Sequence, residues 1–167
     1  MNVTLFNKVL TIPDCYCQLN DETPLPIDEP YINLYIQSKG CNANCQFCEY
    51  KNSARIFNFE KYDSFLSQLS SQIKVKKISF TGGEPTLDYY ELLKRVKLAK
   101  KYFPDAFIVV NTNGLYFEKL IKSNAYSLFD SIALSRHHYS DYTNNTIFKT
   151  ETIRMEDIKN LLEQVDS

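Results

Sequence analysis

Three cysteines, Cys41, Cys45 and Cys48, sit within the stretch Gly40–Cys48 of this chain. Their spacing, Cys-x3-Cys-x2-Cys, lets one short loop turn all three sulfurs toward a single metal centre. Thiolate sulfur selects zinc, copper(I) or iron–sulfur clusters. Three thiolates complete neither a tetrahedral zinc site nor the ligation of every iron in a four-iron cubane. On a structural metal that shortfall is a defect, whereas on a catalytic one it is an open coordination position. Gly40 frees the backbone to turn into the loop. A second group, Gly82-Gly83-Glu84-Pro85, places two residues without Cβ side by side, where a ligand can approach the main chain. Read alone, it is a glycine turn closed by Pro85. His137 and His138, after Arg136, suit substrate binding or proton donation near neutral pH; solvated loop histidines are the plainer reading. Cys15 and Cys17 are either an auxiliary ligand pair or two small idle thiols, and a pair this close does not finish a cluster by itself.

The elements that must position these groups are strands and helices in alternation. Tyr31 to Gln37 alternates Ile32, Leu34 and Ile36 with Tyr31, Asn33 and Tyr35, a strand pattern. The cysteines therefore leave the C-terminal end of a strand, where α/β folds place their chemistry. Phe59 to Ile73 carries Tyr62, Phe65, Leu66, Leu69 and Ile73 at helical spacing, with Asn58 as N-cap. Lys77 to Thr81 reads as the next strand, followed by a helix over Asp88 to Tyr102 with Asp88 and Glu91 spaced as a cap pair and Leu92, Val96 and Ala99 inward. Pro104 closes that helix. Ala106 to Val110 is a continuous apolar run, as in a parallel strand buried on both faces. Asn111-Thr112-Asn113-Gly114 makes a turn, Phe117 to Lys122 a short helix, and Phe129 to Leu134 a fourth strand. Arg136 to Thr150, rich in Tyr, Asn and Thr, reads as a long loop. Thr152 to Val165 is a last helix with Met155, Ile158, Leu161, Leu162 and Val165 facing in. The order β-α-β-α-β-α-β-loop-α predicts an α/β fold, a partial (βα) barrel with parallel strands and helices outside. Ahead of it, residues 1–30 form an N-terminal arm in which Val3 to Ile12 suits a strand or hairpin and Asp21 to Pro30 a proline-rich loop.

The 167 residues suit one domain, divided into that arm and a core over residues 31–167, and 44% hydrophobic content builds a real core. With 19 basic against 20 acidic residues and a net charge of −1, no basic excess advertises nucleic acid or an anionic membrane. No run approaches the ~18 apolar residues of a membrane span, and the N-terminus shows no signal-peptide pattern. Five cysteines without an export signal point to metal chemistry in a reducing cytoplasm.

Cys41, Cys45 and Cys48 with Phe47 before the last of them, together with Gly82-Gly83-Glu84-Pro85 directly behind a strand, resemble the signature motifs of the radical SAM superfamily. The resemblance covers most of the chain after Tyr31. It implies a 4Fe–4S cluster ligated by Cys41, Cys45 and Cys48, leaving one iron for the amino and carboxylate groups of S-adenosylmethionine. An electron from the reduced cluster then cleaves the sulfonium, and the released 5′-deoxyadenosyl radical abstracts hydrogen from a substrate. By the same resemblance Gly82 and Gly83 meet the methionine amino group, with Glu84 as a further contact. Asn113 and Ser135 reach the carboxylate and ribose, and Phe47 and Tyr50 flank the adenine. An electron donor such as flavodoxin or ferredoxin is implied. The short cysteine loop and Thr112-Asn113-Gly114 resemble glycyl-radical-enzyme activases and deazaguanine-forming enzymes; peptide-modifying members stay open. The alternatives are a cofactor-binding fragment without turnover, and a zinc module taking a fourth ligand from His137, His138 or Cys15. A closed (βα)8 barrel takes about 250 residues, and the radical SAM core usually has six βα units. Four units here lead to the expectation of an incomplete core whose fourth strand presents an open edge for self-association.

Overall fold

The computed structural model describes the backbone of residues 2–5, 8–11, 17–21, 31–48 and 57–165, and the side chains of 31–48 and 57–165. Cys15, Tyr50 and residues 22–30 of the expected loop lie outside the described residues. In chain order the elements are β1 (Asn2–Leu5), β2 (Lys8–Thr11), β3 (Cys17–Asp21), β4 (Tyr31–Ser38), α1 (Phe59–Ser70), β5 (Lys74–Gly82), α2 (Tyr89–Tyr102), β6 (Phe107–Thr112), α3 (Phe117–Lys122), β7 (Ser131–Leu134), α4 (Asp141–Phe148) and α5 (Met155–Val165). Two 3-10 turns, Pro85–Asp88 and Ala125–Leu128, lead into α2 and β7.

Strands β4 to β7 lie parallel and in chain order, so each helix between them returns the chain to the same end of the sheet. That is the expected α/β architecture of a partial (βα) barrel. One feature differs from an all-parallel sheet. β3 pairs antiparallel with β4, from Cys17 opposite Ile36 to Asp21 opposite Ile32, and covers the β4 edge. The arm's first residues form the expected hairpin, β1 on β2.

The core is built from the periodicities of the sequence. Ile32, Leu34 and Ile36 of β4 and Ile78 and Phe80 of β5 are fully buried against Tyr62, Leu66 and Leu69 of α1 and Leu92, Val96 and Ala99 of α2. Asn58 caps α1 by accepting from the Lys61 N–H at 2.9 Å, and Asp88 caps α2 through the Glu91 N–H at 3.2 Å. Burial of these aliphatic and aromatic side chains, each worth about 1.5–3 kcal/mol, holds the strand ends in fixed register. A smaller cluster of Phe117, Ile121, Ile158 and Leu161 seats α5 on α3.

The structure corrects several expectations, including the starts of the fourth strand, at Ser131, and of the last helix, at Met155. α1 stops at Ser70, and Ile73 is buried from the following turn rather than from the helix. β5 starts earlier, at Lys74, because sheet pairing with Tyr31 and Ile32 carries its polar Lys-Val-Lys start. β6 is not covered on both faces along its length, since Phe107 remains 49% exposed. Residues 136–150 are not one long loop: Asp141–Phe148 is helical, capped by Ser140 at its start and closed by left-handed Lys149 at its end. In α5 only Ile158 and Leu161 are buried, while Leu162 turns outward, because α3 offers a narrow stripe rather than a full face. Among the described residues no helix is long and apolar enough to cross a membrane.

Candidate functional site

At the C-terminal ends of β4 to β7 lies one cavity of about 550 Å³. Each strand end delivers a group to it. β4 runs into the loop carrying Cys41, Cys45, Phe47 and Cys48; β5 ends at Thr81, Gly82, Gly83 and Glu84; β6 gives Asn111 and Asn113; and Ser135 and His137 follow β7. Cys41, Cys45, Cys48, Phe47, Gly82, Gly83, Glu84, Asn113 and Ser135, all expected at the site from the sequence, therefore border the same space, and of the two histidines His137 does. Asn111, Asn44, Phe148 and Lys149 border it too and had no sequence signal beyond position. α4 is what brings the last two there: the Phe148 carbonyl accepts from the Asn44 N–H at 3.0 Å and from the Cys45 thiol at 3.9 Å.

The thiols are unpaired as disulfides, and Cys41 and Cys45 are half-buried while Cys48 is exposed. Burial pushes the Cys41 thiol pKa up, partly opposed by the Ala43 N–H that the sulfur accepts. Burial and then the neighbouring Cys48 push that of Cys45 up, while the Lys149 ammonium pulls it down. Metal ligation must displace these protons, so it is coupled to pH. Among the described residues no three His, Cys, Asp or Glu side chains converge closely enough to hold a single metal ion. A tetrahedral zinc with sulfur at ≈ 2.3 Å needs such convergence. The three thiols border one cavity of about 550 Å³, which has room for a group larger than a single ion.

Gly82 has φ of 94°, and a Cβ there would stand 2.8 Å from the Ser38 backbone nitrogen. Its first duty is thus to let β5 end against β4, a role distinct from ligand approach. Glu84 also departs from its expected part. It is 1% exposed, and its carboxylate accepts from the Thr86 N–H at 2.9 Å, the Thr86 and Thr112 hydroxyls at 2.6 Å each, and the Asn113 N–H at 2.6 Å. Its own N–H donates to the Gly40 carbonyl at 2.7 Å. The carboxylate ties its own turn to the end of β6, the backbone bond to Gly40 adds the loop after β4, and a carboxylate so engaged has little left for a ligand. Asn113 continues the clamp, donating from Nδ2 to Asn42 Oδ1 at 2.8 Å and accepting from the Leu115 N–H at 3.1 Å. It holds the cysteine loop while facing the cavity. Ser135 donates its N–H to the Thr112 carbonyl at 2.7 Å, which extends the sheet by one bond.

The two histidines separate. His137 borders the cavity, its ring 4.7 Å from that of Phe47 and 5.1 Å from that of Phe148. His138 stacks on Tyr139 and accepts from the Ser140 N–H through Nδ1 at 3.0 Å. Buried Asn144 fixes both backbones, accepting from the His137 and His138 N–H groups at 2.9 and 3.3 Å. Among the described residues neither histidine joins the cysteines in a metal-holding group.

A family model described as the radical SAM superfamily matches residues 35–166. A probable GTP 3′,8-cyclase of Thermococcus kodakarensis is 31% identical over 114 residues, covering 65% of this chain and 36% of the relative. The GTP 3′,8-cyclase of Nautilia profundicola is 33% identical over 98 residues, 55% of this chain and 30% of that one. A putative glycyl-radical enzyme activating enzyme of Methanocaldococcus jannaschii is 31% identical over 85 residues, 49% of this chain and 31% of that one. The chain spans about a third of the length of these curated relatives.

Proposed function

The chain belongs to the radical SAM superfamily, and on that premise we propose that it forms the cofactor-binding core of an enzyme acting on a substrate yet to be identified. Members of the superfamily bind a 4Fe–4S cluster and S-adenosylmethionine. Cys41, Cys45 and Cys48 would hold the cluster here, and Gly82, Gly83, Phe47, Asn113 and Ser135 would border S-adenosylmethionine. When bound, these groups supply reductive cleavage to a 5′-deoxyadenosyl radical and, through it, hydrogen abstraction. The chain's own share is to hold three thiols at one rim, keep the Gly82–Gly83 main chain bare for the methionine end, and lock both loops through Glu84. The observation that carries the reading is a single cavity bordered by all three thiols and both glycines.

The relatives' printed names concern a nucleotide cyclisation and an enzyme activation, so the shared core by itself leaves the substrate class open. An electron donor of flavodoxin or ferredoxin type, a cytoplasmic setting and no role for nucleic acid or membrane complete the proposal. So does a division into an arm, residues 1–30, and a core over 31–167, with β3 of the arm joining the core sheet. The outer edge of β7 makes no strand pair among the described residues, which favours self-association there.

Anaerobic reconstitution tests the assignment. The expected product is brown, holds about four irons per chain with acid-labile sulfide, bleaches in air, and changes its electron paramagnetic resonance spectrum when S-adenosylmethionine is added. Stoichiometric zinc without labile sulfide in protein purified without oxygen would overturn the radical reading in favour of a zinc module. A cluster that forms and binds S-adenosylmethionine but never cleaves it under reduction would identify a binding core without turnover.

A further inference from the structure

The cysteine loop hangs from three bonds, set two residues apart. The Gly40 carbonyl accepts from the Glu84 N–H at 2.7 Å, the Asn42 side-chain oxygen accepts from Asn113 Nδ2 at 2.8 Å, and the Asn44 N–H donates to the Phe148 carbonyl at 3.0 Å. The first two belong to the Glu84 clamp at the ends of β5 and β6. The third comes from α4. It is the anchor next to Cys45, whose own thiol reaches the same carbonyl at 3.9 Å.

α4 adds little to the apolar core. Its Asp-Tyr-Thr-Asn-Asn-Thr start has low helix propensity, it buries only Asn144 and Phe148, and Phe148 belongs to neither apolar cluster. What the helix supplies is its end. The last carbonyls of a helix have no partner inside it. Left-handed Lys149 turns the chain away there, and the Lys149 and Thr150 N–H groups both donate to the Asn145 carbonyl, so the Phe148 carbonyl is left to the loop. One turn earlier stands Asn144, which is 0% exposed and bonded at both ends of its amide. Its Oδ1 accepts from the His137 and His138 N–H groups, and its Nδ2 donates to the Thr152 hydroxyl at 2.8 Å. That side chain ties the chain leaving β7 to the segment that enters α5, with α4 strung between them.

We infer that Asn144 is a positioning residue for the metal centre: it holds the Phe148 carbonyl where that carbonyl fixes Asn44, and with it Cys45, at the rim. The inference deepens the proposed function and rests on it for what the thiol is positioned toward; the bond itself belongs to the chain without cofactor. Asn144 does not border the cavity and acts through Phe148. A loop released at Asn44 keeps its Gly40 and Asn42 anchors, so the damage is local. Cys45 and Cys48 gain freedom while the Gly82–Gly83 turn stays in place, and a cluster held by the loosened loop gives up iron sooner.

Backbone amide exchange in the apoprotein reads the bond directly. Asn144→Ala is expected to speed exchange at the Asn44 amide about tenfold or more, the equivalent of one or two hydrogen bonds, while the Glu84 amide on the first anchor keeps its wild-type rate. Thr152→Val removes the hydroxyl that accepts from Asn144 and is expected to act at Asn44 in the same direction, about threefold. Thr152→Ser keeps that hydroxyl and is expected to match wild type. After anaerobic reconstitution, a chelator should strip iron fastest from Asn144→Ala, then from Thr152→Val, and slowest from wild type and Thr152→Ser. Equal acceleration at Asn44 and Glu84 would reduce Asn144 to a general stabiliser and overturn the positioning role. So would an unchanged Asn44 amide, or wild-type iron release from a variant whose Asn44 amide exchanges faster. Where Asn144→Ala fails to fold, Thr152→Val decides by the same two amides. A wild-type chain that assembles no cluster defeats the proposed function instead, and the two amides still decide whether Asn144 holds the loop.

Discussion

The cysteine loop and the Gly82–Thr86 segment face each other across one cavity, and they differ in what their polar groups do. In the loop, Asn44, Gln46, Phe47 and Cys48 are exposed, and the Cys45 thiol has one long contact to the Phe148 carbonyl. In the segment, Glu84, Pro85 and Thr86 are buried, the Glu84 carboxylate is bonded to the end of β6 and to its own turn, and the Glu84 N–H is bonded to Gly40 beyond β4. Ligand chemistry needs groups with unused bonding capacity, and precise placement of those groups needs neighbours that have none left. The rim divides these duties between two loops, so a substitution should damage either the cofactor or the fold, according to which loop it strikes.

The sharpest test of that division is Cys45→Ala. The cluster should be lost entirely by iron and sulfide analysis, while thermal stability of the apoprotein stays within about 0.5 kcal/mol, as for surface changes. A large loss of stability would show that the loop is part of the clamp. On the other side, Glu84→Ala strands the Thr86 and Asn113 N–H groups and two hydroxyls, and should cost about 3 kcal/mol in denaturant unfolding. Glu84→Gln keeps an acceptor for the hydroxyls but opposes an amide to the Asn113 N–H, so about half that cost is expected. If both are neutral, water or another group replaces the carboxylate and the clamp is not structural.

Gly83→Val sharpens the comparison where the two duties meet. The cluster should assemble with wild-type iron content, and the spectral response to S-adenosylmethionine should vanish; a variant that responds like wild type would reduce the glycine pair to a turn. The smallest effect is expected from pH. The raised Cys41 and Cys45 pKa values mean that folded apoprotein holds its thiol protons more tightly than the unfolded chain does. Their contribution is fully present below the ordinary value of 9.0 and is lost as pH rises through and beyond it, so apoprotein should weaken slightly in that direction. Cluster loading should run the opposite way, improving as pH rises, because ligation releases those protons. Loading indifferent to pH would argue that the thiols enter already ionised.

Much of the frame was legible before any coordinates. The 3.6-residue stripes of α1 and α2, their Asn58 and Asp88 caps and the full extent of α3 follow from local patterns that tertiary contacts did not overrule. α4 was hidden because Asp-Tyr-Thr-Asn-Asn-Thr has low intrinsic helix propensity. Buried Asn144, bonded to His137, His138 and Thr152 on either side of the helix, and buried Phe148, whose carbonyl receives the distant Asn44 N–H, hold that helix by contacts that propensity does not register. The antiparallel partner of β4 was equally invisible, since pairing of β3 depends on the whole edge it meets. For α5 the apolar residues were read in, but which of them met a neighbour depended on where α3 lay.

The same divide runs through the site. Residue type and spacing alone determined that three thiols share one short loop after a strand, and that a bare glycine pair follows the next strand, because sulfur chemistry and the missing Cβ belong to the residues themselves. Only the folded chain decided that Glu84 is bound inward rather than toward a ligand, that His137 and not His138 borders the cavity, and that Lys149 arrives beside it on the end of α4. Those outcomes depend on which donors and rings the sheet brings within hydrogen-bond and ring-contact distance, and such proximity is set by packing between elements distant in sequence.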